Sequence, residues 1–207
     1  MSNDAPDFGP DFAAARRVMV ASQLRPQGVT DARVLGAMGT VPREDFLGAG
    51  QQALAYGDRP LRLDTGAPMM PPAELGLLLT RLAPVPGERA LVVGGGGAYA
   101  AALLRHIGIE VDNAEAGEAP GTTAYDIILV EGAIEQFPDS LARRLTPGGR
   151  VGAAIVEDGV TRLAIGRGNK AVTFTSFAEA QVPILPGFSS APAFSFEMAA
   201  FSALEIK

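Results

Sequence analysis

The sequence predicts an α/β fold, an open and mostly parallel sheet preceded by a helical segment. Three observations carry that expectation. From Pro84 onward, short apolar runs alternate with helical patterns, the order that builds parallel sheets. The run "ERALVV" ends in four consecutive glycines, Gly94 to Gly97, and feeds the alanine-rich stretch Ala98 to Ile107. Further on, "YDIILVEGA" is continuously apolar, as strands covered on both faces are.

Residues 1 to about 83 read as a helical segment packed on the core. "DFAAARRVMVASQL" places Asp11 as an N-cap ahead of apolar residues near helical spacing. "TDARVLGAMGTV" takes Thr30 as its cap and puts Val34, Leu35 and Met38 on one face. "PREDFLGAGQQALAY" starts with Pro42 at a first helical position, and "PPAELGLLLTRL" repeats that start with Pro72. Between them "GDRPLRLDTGAPMM" is loop-like, with Gly and Pro throughout.

Residues 84–207 read as the α/β domain. A strand over "ERALVV" is followed by a helix from Ala98 to Ile107 that Gly108 closes. "GIEVDNAE" is a second strand and "YDIILVEGA" a third. "FPDSLARRLTPGG" is a helix with a turn, and "RVGAAIVED" a fourth strand. The closing stretch "AVTFTSFAEAQVPILPGFSSAPAFSF" suggests hairpin-type strands separated by a Pro/Gly loop.

Composition removes several classes of function. The 207 residues carry a net charge of −6, against nucleic-acid binding, which needs clustered Lys and Arg. With no cysteine there is no disulfide, thiolate metal site or Cys nucleophile. The opening stretch lacks the basic start and apolar core of a signal peptide, and no run is long enough to span a bilayer. The expectation is a cytoplasmic protein. Asp112, Asn113, Glu115 and Glu118 resemble a metal cluster only loosely, and their spacing matches no calcium loop.

A glycine turn at the carboxyl end of a strand lets a ligand approach the backbone, and the following helix N-terminus favours anions. Glu115 stands where an acid at the end of the next strand takes ribose hydroxyls. Gly95, Gly97 and Ala100 match the dinucleotide pattern G-x-G-x-x-A. The same turn is compatible with S-adenosylmethionine, and with a tight strand-to-helix connection that holds no ligand.

The rest of the chain decides between the cofactors. Residues 19 to 61 contain the pair Gln23-Leu24, Gly28-Val29, the "VLGAM" helix, and Val41-Pro42-Arg43-Glu44 followed by Phe46. Ala55-Tyr56 and Asp58 follow in register. With "YDIILVEGA", "LARRLTPGGRV" and "PAFSF", this closely resembles the protein-L-isoaspartate O-methyltransferase family, over residues 12 to about 108 and 124 to about 196. The resemblance implies a Rossmann-like S-adenosylmethionine methyltransferase sandwich. It also implies methyl transfer from S-adenosylmethionine to isoaspartyl carboxylates of damaged proteins. Such a carboxylate is already ionised at neutral pH, so the task is alignment more than proton transfer. By resemblance the cofactor-facing residues are Gly94, Gly96, Tyr99, Glu115 and Glu131, with Met70 at the substrate-loop position.

Four departures stand against ordinary activity. The family's substrate loop reads like G-x-T-I-S-x-P. Here "GAPMMPP" puts Pro68 at the Thr and Met70 at the Ser position, and Met donates no hydrogen bond. The acid two residues before the first turn glycine is Val92. The third turn glycine is Ala98. Only nine residues separate Glu115 from Tyr125, too few for the strand-helix-strand unit expected there, so the sheet is shortened at one edge. These departures predict a family member with weak or lost activity. The alternative is a non-catalytic binding or scaffolding protein on the same fold, self-associating through the vacated edge as a homodimer. A nicotinamide-dependent oxidoreductase rests on the glycine pattern alone.

Other residues have bland readings. His106 complements the end of its helix. Tyr99 packs beneath the turn or stacks on a ligand, and Glu131 lines a cleft or is a solvated loop charge. Met69 and Met70 fill a vacated pocket. Arg43 and Glu44 read as a structural pair joining the helices to the sheet, and Arg143 and Arg144 as a solvated helix face.

Overall fold

The structure, a computed structural model, describes residues 11–116, 118, 121–168 and 171–189. Helix α1 (Phe12–Met19) runs on into a π turn, Val20–Leu24, and is followed by α2 (Ala32–Thr40). The Asp11 carboxylate accepts from the Ala14 N–H at 2.8 Å, a conventional N-cap. In α2 the cap is Asp31 instead of Thr30. Asp31 is the last residue with extended backbone, and its carboxylate accepts from the N–H groups of Arg33 and Val34. The buried face of α2 is Val34, Leu35, Ala37 and Met38.

The helix expected after Pro42 is two short 3-10 turns, Arg43–Phe46 and Gln52–Leu54. Gly48 and Gly50 lie between them, and glycine is costly in a continuous helix. The loop-like stretch holds a small antiparallel hairpin, β1 (Leu61–Arg62) and β2 (Pro68–Met69). Helix α3 (Pro72–Leu82) then starts with Pro72 at its first position.

The α/β part follows the expected order: β3 (Arg89–Val93), α4 (Ala98–Ile107), β4 (Glu110–Ala114) and β5 (Tyr125–Ile134). Gly108 closes α4 in the left-handed region, at φ 97°, which glycine adopts without steric cost. The next helix is shorter than its sequence suggests, a single turn α5 (Asp139–Ala142), because Leu145 already joins the following strand. That strand, β6 (Leu145–Glu157), continues as a meander through β7 (Val160–Arg167) and β8 (Thr173–Glu179). The C-terminal pairing therefore differs from the expected one. β8 pairs with β7, which the sequence reading did not single out, and residues 183–188 turn back over the sheet. The end of the predicted hairpin region, beyond residue 189, lies outside the described residues.

The six strands lie in the order β4-β3-β5-β6-β7-β8. Neighbours from β4 to β6 pair in parallel, and β7 runs antiparallel between β6 and β8. Among the described residues β4 is an edge, as a sheet shortened there requires. Side chains alternate between the two faces. Ala90, Val92, Ile127 and Leu129 join the cluster that contains α2, α3 and α4. Leu91, Val93, Ile128 and Val130 join a second cluster with Leu141, Leu185 and Phe188. The second face is thus covered partly by the returning segment. It is fastened where Ala133 N–H donates to the Pro183 carbonyl at 2.9 Å and Leu185 N–H to the Ala133 carbonyl at 2.8 Å.

Candidate functional site

In an open α/β sheet the ligand crevice lies beyond the carboxyl ends of the strands, where connections diverge to opposite sides. Here that point lies between β3 and β5. Gly94 begins the turn at φ +113°, a left-handed conformation. Its N–H donates to the Ala114 carbonyl at 2.9 Å, and Gly97 N–H reaches back to the Gly94 carbonyl at 3.0 Å. Gly97 is the N-cap of α4. The backbone thus makes a tight strand-to-helix connection at the carboxyl end of β3.

The chain's own residues occupy the space above it. A Cβ placed on Gly96 would lie 1.8 Å from the Pro68 carbonyl oxygen and 2.8 Å from its carbon. Strand β2 therefore rests directly on the turn. A Cβ on Gly97 would lie 2.4 Å from a methyl of Val92, so that side chain fills the space beside the cap. Met69 and Met70 are both fully buried.

Two buried polar side chains pin this segment from below. Met70 N–H donates to Glu131 Oε1 at 2.8 Å, and the Met70 carbonyl accepts from Arg43 Nη2 at 2.6 Å. Arg43, 0% exposed, also donates through Nε to the Ala55 carbonyl at 2.9 Å. Its guanidinium lies 4.9 Å from the centre of the Tyr99 ring, a cation–π distance. Glu131 Oε2, Arg43 Nη1 and the Tyr99 hydroxyl are buried with no protein hydrogen-bond partner. Burial pushes the Tyr99 hydroxyl up.

Arg43 and Glu44 do not pair with each other. Glu44 takes Arg16 at 2.7 Å and the Tyr56 hydroxyl, and Arg16 Nε donates to that hydroxyl at 2.8 Å. Adjacent residues on a 3-10 turn point to different sides, so each ties the turn to a different neighbour. Burial, with the Glu44 carboxylate beside it, pushes the Tyr56 hydroxyl up to about 12.

Glu131 is no solvated loop charge. It lies within β5 at 1% exposure. Burial pushes its carboxyl up to about 7, and the Met70 N–H and Arg43 only partly offset this. A carboxyl raised in the folded state keeps its proton longer there than in the unfolded chain. Its contribution to stability is therefore complete below about pH 4.5, declines as pH rises, and is lost above about pH 7. Glu131→Gln removes this dependence while keeping an acceptor for Met70. Denaturation midpoints are expected to fall between about pH 5 and about pH 8 more steeply for the native chain than for the variant. Parallel pH profiles for the two proteins would exclude a buried, raised carboxyl.

Beside the covered turn an open cleft of about 560 Å³ remains. Arg62, Thr65, Pro68, Gly95, Glu115 and the segment from Pro183 to Gly187 line it. The candidate residues are therefore divided. Glu115 reaches the cleft, together with the turn at Gly95. Tyr99, Glu131 and Met70 are buried beneath, and Gly94 and Gly96 lie under Leu185 and Pro68 respectively. Leu185 and Ile184 were not singled out from sequence, and only their place in a Pro/Gly loop hinted at them. Arg144 is another correction. It is buried, its guanidinium donates to the carbonyls of Gly121 and Thr123, and it lies 5.7 Å from the centre of the Tyr125 ring. His106 lies in the last turn of α4, as expected. Among the described residues no group of three or more His, Cys, Asp or Glu could hold a metal ion.

A mostly parallel sheet with a glycine turn after one strand and an acid after the next defines a Rossmann-like α/β fold, a class that includes methyltransferases. Solved structures agree. A protein-L-isoaspartate O-methyltransferase superposes with a TM-score of 0.71 at 19% identity, covering 84% of this chain and 67% of that one. A structure assigned to the same enzyme family from Plasmodium falciparum, in complex with S-adenosyl-L-homocysteine, gives 0.69 at 17% identity, covering 86% and 99%. Sequence narrows the class further. The family model for Protein-L-isoaspartate(D-aspartate) O-methyltransferase (PCMT) matches residues 15–115. The protein-L-isoaspartate O-methyltransferase of Methylorubrum extorquens is 37% identical over 169 residues, covering 69% of this chain and 74% of that protein. That of Koribacter versatilis is 33% identical over 168 residues, covering 68% and 76%. The chain belongs to the protein-L-isoaspartate O-methyltransferase family.

Proposed function

We propose that this chain is a member of the family in which methyl transfer from S-adenosylmethionine to isoaspartyl carboxylates is weak or lost. Family and fold point to S-adenosylmethionine as the cofactor, and the Plasmodium structure is a complex with its demethylated product. The residues present fit one end of such a molecule and not the other. Glu115 and Gly95 line an open cleft suited to a nucleoside. Where the methionyl end would run along the turn, the Pro68 carbonyl sits against Gly96, and Val92 supplies no charge for an ammonium group. The seating of Pro68 on Gly96 is the observation that carries the reading.

The acceptor side is altered in the same direction. Pro68 and Met70 offer no hydroxyl, and both backbone hydrogen-bonding groups of Met70 are committed to Glu131 and Arg43. One lost hydrogen bond to a charged group costs about 1.5–3 kcal/mol. An isoaspartyl peptide and labelled S-adenosylmethionine test the reading. Turnover is expected to be at least about a hundredfold below that of an active family member assayed beside it. Turnover within about tenfold of that reference would refute a disabled site.

The same observation favours binding over catalysis as the use of this fold, with the cleft as its place. The β4 edge is poorly suited to self-association. It exposes Glu110 and Asp112, and its Val111 carbonyl already accepts from Arg105 at 2.8 Å. A two-fold pairing of such edges would bring like charges together.

A further inference from the structure

We propose that a second groove, where α3 meets strands β7 and β8, binds a small phosphate monoester with a compact apolar body. Its volume of about 410 Å³ falls in the range of small-molecule sites, roughly 300–1,000 Å³. Arg81 of α3, Ile165 and Arg167 of β7, and Thr173, Thr175 and Phe177 of β8 line it. Strand β7 lies three places from β3 in the sheet. The groove shares no lining residue with the cleft at Glu115 or with the glycine turn.

Strand register assembles this set. Arg167 stands opposite Thr173, and Ile165 opposite Thr175, in the antiparallel ladder. Directly opposed residues share a face, and so do residues two apart along a strand. The four side chains therefore form one block. Ile165 and Phe177 are half-buried and pack against the same core cluster as α3, which makes them a firm apolar surface.

The charge in the groove is unbalanced. Arg16, Arg33, Arg89, Arg150 and Arg162 each face a carboxylate of the chain. Neither Arg81 nor Arg167 does so among the described residues, and no acid lines the groove. Arg81 lies 5.2 Å from the centre of the Phe177 ring. Such a contact places a guanidinium without an oxygen acceptor, so its N–H donors remain for a ligand. A chain of net charge −6 repels anions at long range, so the attraction must come from this local pair. Guanidiniums fork onto phosphate oxygens, and the exposed hydroxyls of Thr173 and Thr175 can donate to others. A monoester carries about −1.5 to −2 at pH 7 and can answer both arginines, whereas a single carboxylate answers one. Ile165 and Phe177 take its apolar part.

Calorimetric titration at low ionic strength with phenyl phosphate, inorganic phosphate and benzoate tests the assignment. Phenyl phosphate is expected to bind with a Kd below about 1 mM. Inorganic phosphate, without the apolar body, and benzoate, with one charge, are each expected to bind at least about threefold more weakly. Arg81→Gln and Arg167→Gln are each expected to weaken phenyl phosphate at least about threefold, and the double variant at least about tenfold. Arg143→Gln, an exposed arginine outside the groove, is expected to leave it within about twofold. All these variants keep the native thermal transition, because the replaced side chains are exposed. No heat from phenyl phosphate at about 10 mM, undiminished binding by the double variant, or an equal loss on Arg143→Gln overturns the site. Inorganic phosphate or benzoate binding as tightly as phenyl phosphate overturns the proposed ligand class. A failure here leaves the covered turn standing, since the two places share no residue.

Discussion

Arg43→Ala is expected to lower the unfolding free energy by about 4 kcal/mol, from two orphaned buried acceptors and the cavity left behind. The side chain is 0% exposed. Its loss leaves the Ala55 and Met70 carbonyls without their donor and opens a void beside the Tyr99 ring. An unsatisfied buried acceptor costs about 1–3 kcal/mol, and cavity formation adds to it. Arg43→Lys keeps the charge but cannot fork to two carbonyls, and about 2 kcal/mol is expected for it. Urea denaturation of the native chain and both variants measures these differences. A loss below about 1 kcal/mol for the alanine variant would show that Arg43 does not hold the hairpin. Native stabilities are only about 5–15 kcal/mol, so this one side chain governs a large share.

Gly96→Ala is expected to cost about 3 kcal/mol, at the upper end of overpacking effects. The new methyl would lie 1.8 Å from the Pro68 carbonyl oxygen. Because the obstacle is backbone, no rotamer change relieves it. The hairpin must rise, and with it goes the Met70 N–H bond to Glu131. Gly36 supplies the contrast. A Cβ there meets nothing within 4 Å and it lies inside α2, so Gly36→Ala is expected to stabilise by about 0.5–1 kcal/mol. If thermal and chemical denaturation show Gly96→Ala to be as harmless as Gly36→Ala, β2 is not seated on the turn, and the case for a disabled site fails with it.

The elements that could be read from sequence are those specified by local patterns. The apolar run of β3, the alanine-rich α4 and the left-handed Gly108 follow one another within twenty residues, and each carries its own signal. Asp11 as a cap and Pro72 at a helix start are equally local. The cap of α2 was misplaced by one residue because Thr30 and Asp31 are both good caps. The backbone chose Asp31. Strand β7 carries arginines and a glycine among its apolar residues, so it lacks the clean alternation by which β-strands are recognised. Arg144 looked solvated because its partners, Gly121 and Thr123, come from the loop before β5.

At the site, sequence reading located the turn, Glu115 and the missing hydroxyls. It left Glu131 between a cleft residue and a solvated charge, and the structure makes it neither. The carboxyl is buried and holds a peptide N–H 61 positions away in the chain.

By itself the sequence determined the family, the succession from β3 through α4, β4 and β5 to β6, and which functional groups are absent. Residue identity and local periodicity suffice for these. Tertiary structure alone decided that the place left by those groups is filled, that Arg43 and Glu131 fasten the filling, and that a separate cleft remains at Glu115. Such facts depend on how closely two distant pieces of backbone approach. That distance is set by packing and long-range hydrogen bonds, which no short stretch of residues encodes.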